Sequence, residues 1–292
     1  MHCRAHPRGG ILACDWRQFV IAMMALLAVT AAMPAGMGPS AEAAKAFDDY
    51  VTKAEERIRR EESAVGSFLT LPPAATAGRE AALRRGEVLV EQRGTTAAKV
   101  PGGLIHHWVG TVFIPDATVA QVLAVVQDYN HLTRSYAPEV MASRLISREG
   151  DDFHISLRTR EQKVVTVVLD AEYEVHYGRL DAAHQFSLSR SIRISEIADA
   201  GSPRERAVAD ADNHGYLWRL NSYWRFVQES DGAVVQCEAI SLTRSIPTGL
   251  GWLIGPFVRE IPRESLEAML GATRDAVAAR VRLEKSTRAE HR

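Results

Sequence analysis

The C-terminal third of the chain constrains the fold most strongly, because two strand-like segments there run directly into one amphipathic helix. Residues 215–230 and 232–247 alternate apolar and polar residues with a period of two, which is typical of strands with one buried face. Asp231 and Gly232 between them favour a hairpin turn. Apolar residues then recur at helical spacing up to residue 282. This order predicts a strand-strand-helix unit that forms one wall and the lid of an apolar cavity.

The first 43 residues have the composition of a secretory signal. Basic residues precede an apolar run at 19–33, and an Ala-x-Ala sequence ends at Ala43. The run is short for a membrane span. We therefore predict a cleaved signal peptide over residues 1–43 and a periplasmic or secreted protein; the alternative is an uncleaved N-terminal membrane anchor. Cleavage would leave Cys237 without a disulfide partner, and we interpret this cysteine as a small buried residue.

Residues 44–103 are predicted to be a helical lead-in and linker outside the main domain. Residues 44–62 are charged and helix-prone, with few large apolar side chains. Such a composition favours an exposed helix that is separate from the core.

Residues 104–283 are predicted to form the main domain. A β-rich segment at 104–114 is followed by a helix at 117–128 and then by four strand-like runs with short turns. Period-two patterns with short turns favour an antiparallel meander that is apolar on one side. The predicted fold class is α+β, with a curved antiparallel sheet of about six to seven strands wrapped around a long C-terminal helix. Regular helix is expected from near Pro262, and residues 284–292 are expected to be a frayed, charged tail.

Several short motifs follow one another from the first strand of this domain to its last helix. They are FIPD at 113–116, VLAVVQDY at 122–129, YAPEV at 136–140, YWR at 223–225, CEA at 237–239, RSIP at 244–247 and PRESL at 262–266. In this order and spacing the sequence resembles the superfamily of START domains, polyketide cyclases and coenzyme-Q-binding proteins, which share the helix-grip fold. The resemblance covers about residues 104–282. It implies that a lipid, quinone, polyketide or other apolar molecule is held between sheet and helix.

The candidate ligand-binding residues are mainly large apolar side chains on the predicted strands and the last helix. Such side chains offer a large contact area, and a few polar groups then orient the ligand. The candidates are Tyr173, Arg190, Trp218, Leu220, Trp224, Phe226, Trp252, Leu253, Phe257, Leu266, Met269 and Leu270.

Two parts of this candidate site have a more specific interpretation. Trp252, Leu253 and Phe257 lie in a segment rich in glycine and proline, and we expect them to sit at the cavity mouth and to gate it. Arg190 interrupts an apolar strand face. A buried charge needs a partner, so Arg190 either meets the polar end of a ligand or lies at the sheet rim in water.

Four polar residues on the hairpin also allow two interpretations. Arg219, Tyr223, Arg225 and Glu238 could anchor a ligand head group or supply an acid. They could instead form salt bridges on the outer face of the sheet. We favour the outer face.

The sequence contains no catalytic, metal-binding or cofactor-binding motif, so no cofactor and no metal are expected. His106 and His107 are adjacent in a strand, so they point to opposite faces and cannot readily chelate one ion together. The balance of 35 Lys and Arg against 36 Asp and Glu gives no electrostatic reason to bind nucleic acid.

Three functional hypotheses follow from these observations. The first is an exported START-like protein that binds or carries an apolar small molecule or lipid and contacts membranes at most transiently. The second is a cyclase- or dehydratase-like enzyme that acts on an aromatic or ring-forming substrate. The third is a solid-core protein-interaction module that uses the helix at 44–62 to contact a partner of unknown identity.

Overall fold

The computed structural model describes residues 38–63, 65–69, 77–94, 98–162, 166–246 and 251–290. The helices are α1 (Ala41–Glu62), α2 (Ala77–Arg84), α3 (Val119–Val126), α4 (Thr133–Tyr136) and α5 (Gly251–Glu290). The strands are β1 (Leu89–Gln92), β2 (Ala98–Val100), β3 (Gly103–Pro115), β4 (Val140–Glu149), β5 (Asp152–Gln162), β6 (Thr166–Arg179), β7 (His184–Ala198), β8 (Arg206–Ala207), β9 (Arg219–Glu229) and β10 (Gly232–Arg244).

One antiparallel sheet organises the described chain, with the strand order β1-β3-β10-β9-β7-β6-β5-β4. Two short strands lie off this path, since β2 pairs with β3 and β8 pairs with β7. The sheet therefore has ten strands, because three short ones add to the seven long ones. The first strand of the domain pairs with the last, β3 with β10, over the full length of both strands. The predicted α+β class and helix-grip architecture are confirmed.

The C-terminal helix α5 is longer than predicted at both ends. It begins at Gly251 instead of near Pro262, and it continues to Glu290 through the segment expected to fray. Polar contacts hold its last turns to the loop before α3 and to α3 itself. Lys285 Nζ lies 3.0 Å from Asp116 Oδ2, and Gln121 Nε2 donates to Glu284 Oε2 at 2.6 Å.

The main core lies on the concave face of the sheet, under α3, α4 and α5. The stripe predicted for the last helix is buried there, with Leu266, Leu270, Val277 and Val281 all at most 5% exposed. Since these residues are spaced by four, seven and four positions, one helical face carries them all. The helix therefore grips the sheet along this stripe.

Helix α1 covers the convex face of the same sheet, so the prediction of an exposed helix separate from the core is wrong. Phe47, Val51, Ala54 and Ile58 recur at i, i+4, i+7 and i+11 and are buried against β3, β9 and β10. The spacing is that of one helical face. Consequently the sheet is buried on both faces over these strands, instead of being apolar on one side.

The predicted signal segment lies almost wholly outside the described residues, which begin at residue 38. Helix α1 starts at Ala41, and its N-cap Ser40 accepts a hydrogen bond from Ala43 N at 3.1 Å. Cleavage after Ala43 would therefore remove this cap and the first turn. Within the described ranges, no helix is both long enough and apolar enough to span a membrane.

Candidate ligand-binding site

Two neighbouring rows of side chains cross the middle of the concave face, and half of their members are Ser or Ala. The register of the strands defines them, since residues that pair across a sheet point to the same face. The Trp108 row consists of Trp108, Ala239, Ser222, Ser189 and Val175. The His106 row consists of His106, Ser241, Leu220, Ser191 and Tyr173, and Leu220 N donates to Ser191 Oγ at 2.9 Å. We call these ten residues the floor.

The floor is not fully covered. Ala239, Ser222 and Ser189, on three adjacent strands, all remain partly exposed although they lie on the core side of the sheet. Leu220 and Trp224 beside them are also only partly buried. Protein interiors are normally packed as densely as organic crystals. Short side chains that solvent still reaches on an inner face therefore mark a recess between the sheet and the elements above it.

Helix α5 meets the sheet in the row next to the floor. A Cβ atom on Gly110 would lie 2.4 Å from Leu270 Cδ1 and 3.1 Å from Leu266 Cγ, so the missing side chain permits the close contact. Leu266 and Leu270 are buried, and the predicted ligand residue Met269 packs against the same cluster while partly exposed. These three residues thus lie on the concave side, as predicted.

Aromatic side chains from β9 and β6 stand on the concave face. The rings of Trp224 and Phe226 are stacked with centroids 6.0 Å apart and an interplanar angle of 15°. Phe226 is buried, and Trp224 is partly exposed. On β6, Tyr173 is 8% exposed, and burial raises the pKa of its hydroxyl. The predicted residues Tyr173, Leu220, Trp224 and Phe226 are therefore on one face.

Two polar atoms on the concave side are buried without a hydrogen-bond partner among the described residues. They are Trp108 Nε1, in the floor, and Ser143 Oγ, on the edge strand β4. Burying a polar group without a partner costs free energy, so buried polar groups are usually paired. Both atoms therefore lack the hydrogen bond that a buried polar atom usually makes.

Two predicted ligand residues lie outside this face. Arg190 is on the convex face, where its guanidinium is half-exposed and bonds Glu55 of α1 at 3.1 and 2.6 Å. Trp218 precedes β9, packs against the cluster formed with α1, and donates from Nε1 to Asn213 Oδ1 at 3.3 Å. Arg190 lies on the convex face because the inward residues of this part of β7 are Ser187, Ser189 and Ser191, whereas Ile194, beyond a register shift, packs against the concave core.

Three predicted residues lie where the structure describes too little to place their side chains. Trp252, Leu253 and Phe257 belong to the first turns of α5, and their side chains are outside the described residues, as is the whole of 247–250. The gating role predicted for this segment remains a prediction.

The polar residues of the hairpin lie on the convex face, as we favoured, and helix α1 supplies partners to Tyr223, Arg225 and Glu238. Arg225 is 1% exposed and donates to Glu61 Oε2 of α1 at 2.8 Å and to Gln236 Oε1 at 3.3 Å. Its Nε lies 3.3 Å from Glu62 Oε1. Tyr223 donates to Glu55 Oε1 at 2.9 Å. Most of these partners come from helix α1, so the contacts are not the salt bridges between β9 and β10 that the hairpin alone could form.

The polar residues that meet between α1 and the sheet form what we call the convex-face network: Tyr50, Arg57, Glu61, Glu62, His107, Arg225 and Glu238. Glu238 is its most buried carboxylate. Its Oε1 accepts from Arg57 of α1 and lies 2.5 Å from His107 Nε2, while Tyr50 OH lies 2.8 Å from His107 Nδ1. Burial raises the pKa of Glu238, but His107 and Arg57 outweigh it and lower the pKa to about 2. The carboxylate is therefore charged at neutral pH, and its Oε2 is buried without a partner among the described residues.

The two adjacent histidines point to opposite faces, as predicted. His107 belongs to the convex-face network, whereas His106 Nε2 lies 3.0 Å from Thr243 Oγ1 on the concave side. Among the described residues, no group of three or more His, Cys, Asp or Glu could hold a metal ion. Cys237 is a buried free thiol on the concave face, and burial raises its pKa, which disfavours the thiolate.

Sequence reasoning missed most of the floor, including the indole donor of Trp108. Trp108, Ser189, Ser222 and Ala239 were not among the candidates. The available signal was the pairing itself, since a run of Ser and Ala on the same face of adjacent strands indicates a recess once the register is known. Trp108 was hidden because β3 is buried at almost every position and shows no alternation.

Comparison with known proteins gives likenesses to solved structures. No family model matches the chain, and no curated protein matches it. A fragment of a STAR-related lipid transfer protein from Xanthomonas axonopodis is 20% identical, with a TM-score of 0.40, over 64% of this chain and 98% of that chain. The aromatase/cyclase Zhui from a Streptomyces species is 14% identical, with a TM-score of 0.42, over 61% of this chain and 94% of that chain.

A START superfamily protein from Mycobacterium smegmatis is similar to the same extent. It is 14% identical, with a TM-score of 0.39, over 61% of this chain and 98% of that chain. Because the identities and scores are low, we argue the function from the residues of the concave face.

Proposed function

We propose that this protein binds and carries an apolar small molecule, such as a lipid, quinone or polyketide-like compound, between the concave face of the sheet and α5. The observation that supports the proposal is the floor. Small side chains on three central strands remain partly exposed on the core side of the sheet, although large apolar residues surround them. Small-molecule sites are concave and mostly apolar, with a few polar groups.

The large side chains around the small floor residues support the same function. Trp224, Leu220 and Tyr173 provide apolar and aromatic surface next to these small residues. Such side chains contribute a large contact area and lose little conformational entropy on binding. Leu266 and Leu270 pack closely over Gly110, so the recess lies beside the place where α5 contacts the sheet.

We further propose that the protein works in the periplasm or outside the cell. This part rests on the N-terminal sequence alone, which combines basic residues, a short apolar run and an Ala-x-Ala site. The mass of the protein isolated from fractionated source cells tests it. Loss of the first 43 or so residues and recovery in the periplasm or medium are expected, and an intact N-terminus in the membrane fraction would contradict it.

Native mass spectrometry of the protein from its own compartment, followed by organic extraction, tests the binding function. An apolar molecule should co-purify at close to one per chain. A protein that carries nothing and takes up no lipid or quinone from a supplied mixture would overturn the proposal. Chemical conversion of the extracted molecule by the protein would instead favour the enzyme hypothesis.

A variant that fills the recess provides a sharper test. Ala239→Phe places a large ring on the floor between Trp108 and Ser222, its two register partners. We expect binding of the co-purified molecule to fall by at least tenfold while the protein stays folded. The control is Ala142→Phe on the exposed part of the edge strand β4, which should leave binding unchanged. Equal binding by both variants would place the ligand elsewhere.

A further inference from the structure

The indole N–H of Trp108 is the most informative polar group on the concave face. Trp108 is 8% exposed, and its Nε1 has no hydrogen-bond partner among the described residues. A tryptophan side chain can donate one hydrogen bond and accept none. A buried donor that is left unpaired has lost its bond to water without a replacement. This donor therefore needs an acceptor.

The position of Trp108 shows from which side an acceptor can come. The residue packs in the concave-face cluster, and its register partner is Ala239, followed across the sheet by Ser222 and Ser189. These neighbours are short and partly exposed, so the recess adjoins the indole directly. Nε1 itself is covered, so a ligand oxygen on the floor takes this hydrogen bond only by displacing the atoms that cover it.

The other polar groups of the floor are hydroxyls and the imidazole of His106. Serine hydroxyls occur at four of its ten positions, and Tyr173 adds a phenolic hydroxyl that burial keeps protonated. The imidazole of His106 is engaged by Thr243 at 3.0 Å. These groups match the oxygen atoms of an uncharged ligand.

The floor has no charged partner for an ionic ligand, since its ten positions include no Lys, Arg, Asp or Glu. Burying a carboxylate or phosphate without a cation carries a large desolvation cost. The cation that sequence analysis had offered for this purpose, Arg190, is on the convex face with Glu55. An acidic head group is therefore disfavoured on the floor.

We infer that the ligand is an uncharged apolar molecule with a carbonyl-type oxygen, as in a quinone, ketone or ester, and that Trp108 Nε1 donates a hydrogen bond to that oxygen. The inference rests on the proposed function and names the class of molecule for the same site. It also makes Trp108 a specificity-determining residue.

Three small probes of one shape test the inference. They are 2-methyl-1,4-naphthoquinone, 2-methylnaphthalene, which lacks the carbonyl groups, and 2-naphthoate, which carries a charge. Titrations of the full chain, labelled with ¹⁵N at its tryptophan indoles, report both the affinity and the state of each indole N–H. We expect the quinone to bind about tenfold more tightly than the hydrocarbon, because one hydrogen bond distinguishes them. It should also shift the Trp108 resonance downfield.

The variant Trp108→Phe keeps an aromatic ring and removes the donor. It should abolish the preference for the quinone and leave the affinity for 2-methylnaphthalene within about twofold. Trp224→Phe is the matched control, since Trp224 stands on the same face and its N–H is not among the unpaired buried atoms. This control should change the affinities for quinone and hydrocarbon by the same factor.

The outcomes separate this inference from the proposed function. If the quinone and the hydrocarbon bind wild-type protein equally, or the naphthoate binds best, the inference is overturned while apolar binding stands. If no probe binds and no natural ligand co-purifies, the proposed function fails. If Trp108→Phe does not fold, the resonance of the wild-type Trp108 N–H decides. The hydrocarbon has no acceptor and cannot shift this resonance downfield. If the quinone does not shift it either, the inference fails.

Discussion

On the convex face of the sheet the chain covers its buried charges with its own helix α1, whereas on the concave face a recess and an unpaired indole N–H lie side by side. The convex-face network brings Glu61 to Arg225, and Arg57 to Glu238, across a fully formed interface. The concave face leaves Trp108 Nε1 without a partner. Both faces bury polar atoms, but Glu238 on the convex face is paired through Oε1 although its Oε2 has no partner among the described residues, whereas the single donor of Trp108 on the concave face has none. The concave face is therefore the one that an external molecule completes.

Removing one partner from the convex-face network should have the largest effect on stability. Glu238→Ala leaves His107 and Arg57 without their buried carboxylate, and breaking a buried pair on one side typically costs about 3–5 kcal/mol. Urea unfolding followed by circular dichroism measures the loss. The control Arg190→Ala breaks the half-exposed pair with Glu55 and should cost less than about 1 kcal/mol. Similar losses in the two variants would show that α1 does not seal this face.

The same network should make stability depend on pH in the acid range. The pKa of Glu238 falls from its ordinary 4.5 to about 2 in the folded protein. A carboxylate with a lowered pKa contributes stability that is fully present above pH 4.5 and is lost as the pH falls to 2, here up to roughly 3 kcal/mol. Burial raises the pKa of Glu62, which acts in the opposite direction.

The contribution of Glu238 is isolated by comparing wild type with Glu238→Gln in urea at pH 7, 5, 4 and 3. The difference between the two proteins should shrink as the pH falls below 4.5, because protonation of wild-type Glu238 mimics the amide. A difference that stays constant down to pH 3 would contradict the assignment.

A smaller effect is expected where α5 meets the concave face. Gly110→Val would force side-chain atoms into Leu270 and Leu266, and such overpacking typically costs about 1–3 kcal/mol. Because the helix must move away from the sheet, affinity for an apolar ligand should change as well. Gly271→Ala on the same helix is the control, since no atom lies within 4 Å of the added Cβ. It should be neutral or slightly stabilising, and an equal loss in both variants would contradict the close contact at Gly110.

The succession of strands along the chain and the buried stripe of α5 could be predicted from the sequence, because both depend on local periodicity. The hairpin of β9 and β10 turns at Asp231 and Gly232 as expected. The inward face of β7 could not be predicted, since alternation identifies two faces but does not tell which is concave. Phe186 packs outward beside Phe68 because the convex face is buried too, which leaves the serines facing inward.

The role of α1 was hidden for a related reason. Its apolar residues are few and spaced among many charges, so its composition favoured an exposed helix. The charges at Arg57, Glu61 and Glu62 are nevertheless directed at the sheet, where Arg225 and Glu238 meet them. Complementarity between segments more than 160 residues apart leaves no local signal in either one.

The docking of α1 has a consequence for how the chain folds. Arg57 and its partner Glu238 are separated by 181 residues. At typical synthesis rates of about 5–20 residues per second, α1 waits roughly 10–40 seconds before β10 is available. During that time Phe47, Val51 and Ile58 have no sheet to cover, and the closing contact is among the slowest kind to form. The helix that seals the finished sheet thus carries an uncovered apolar face while the chain is being made.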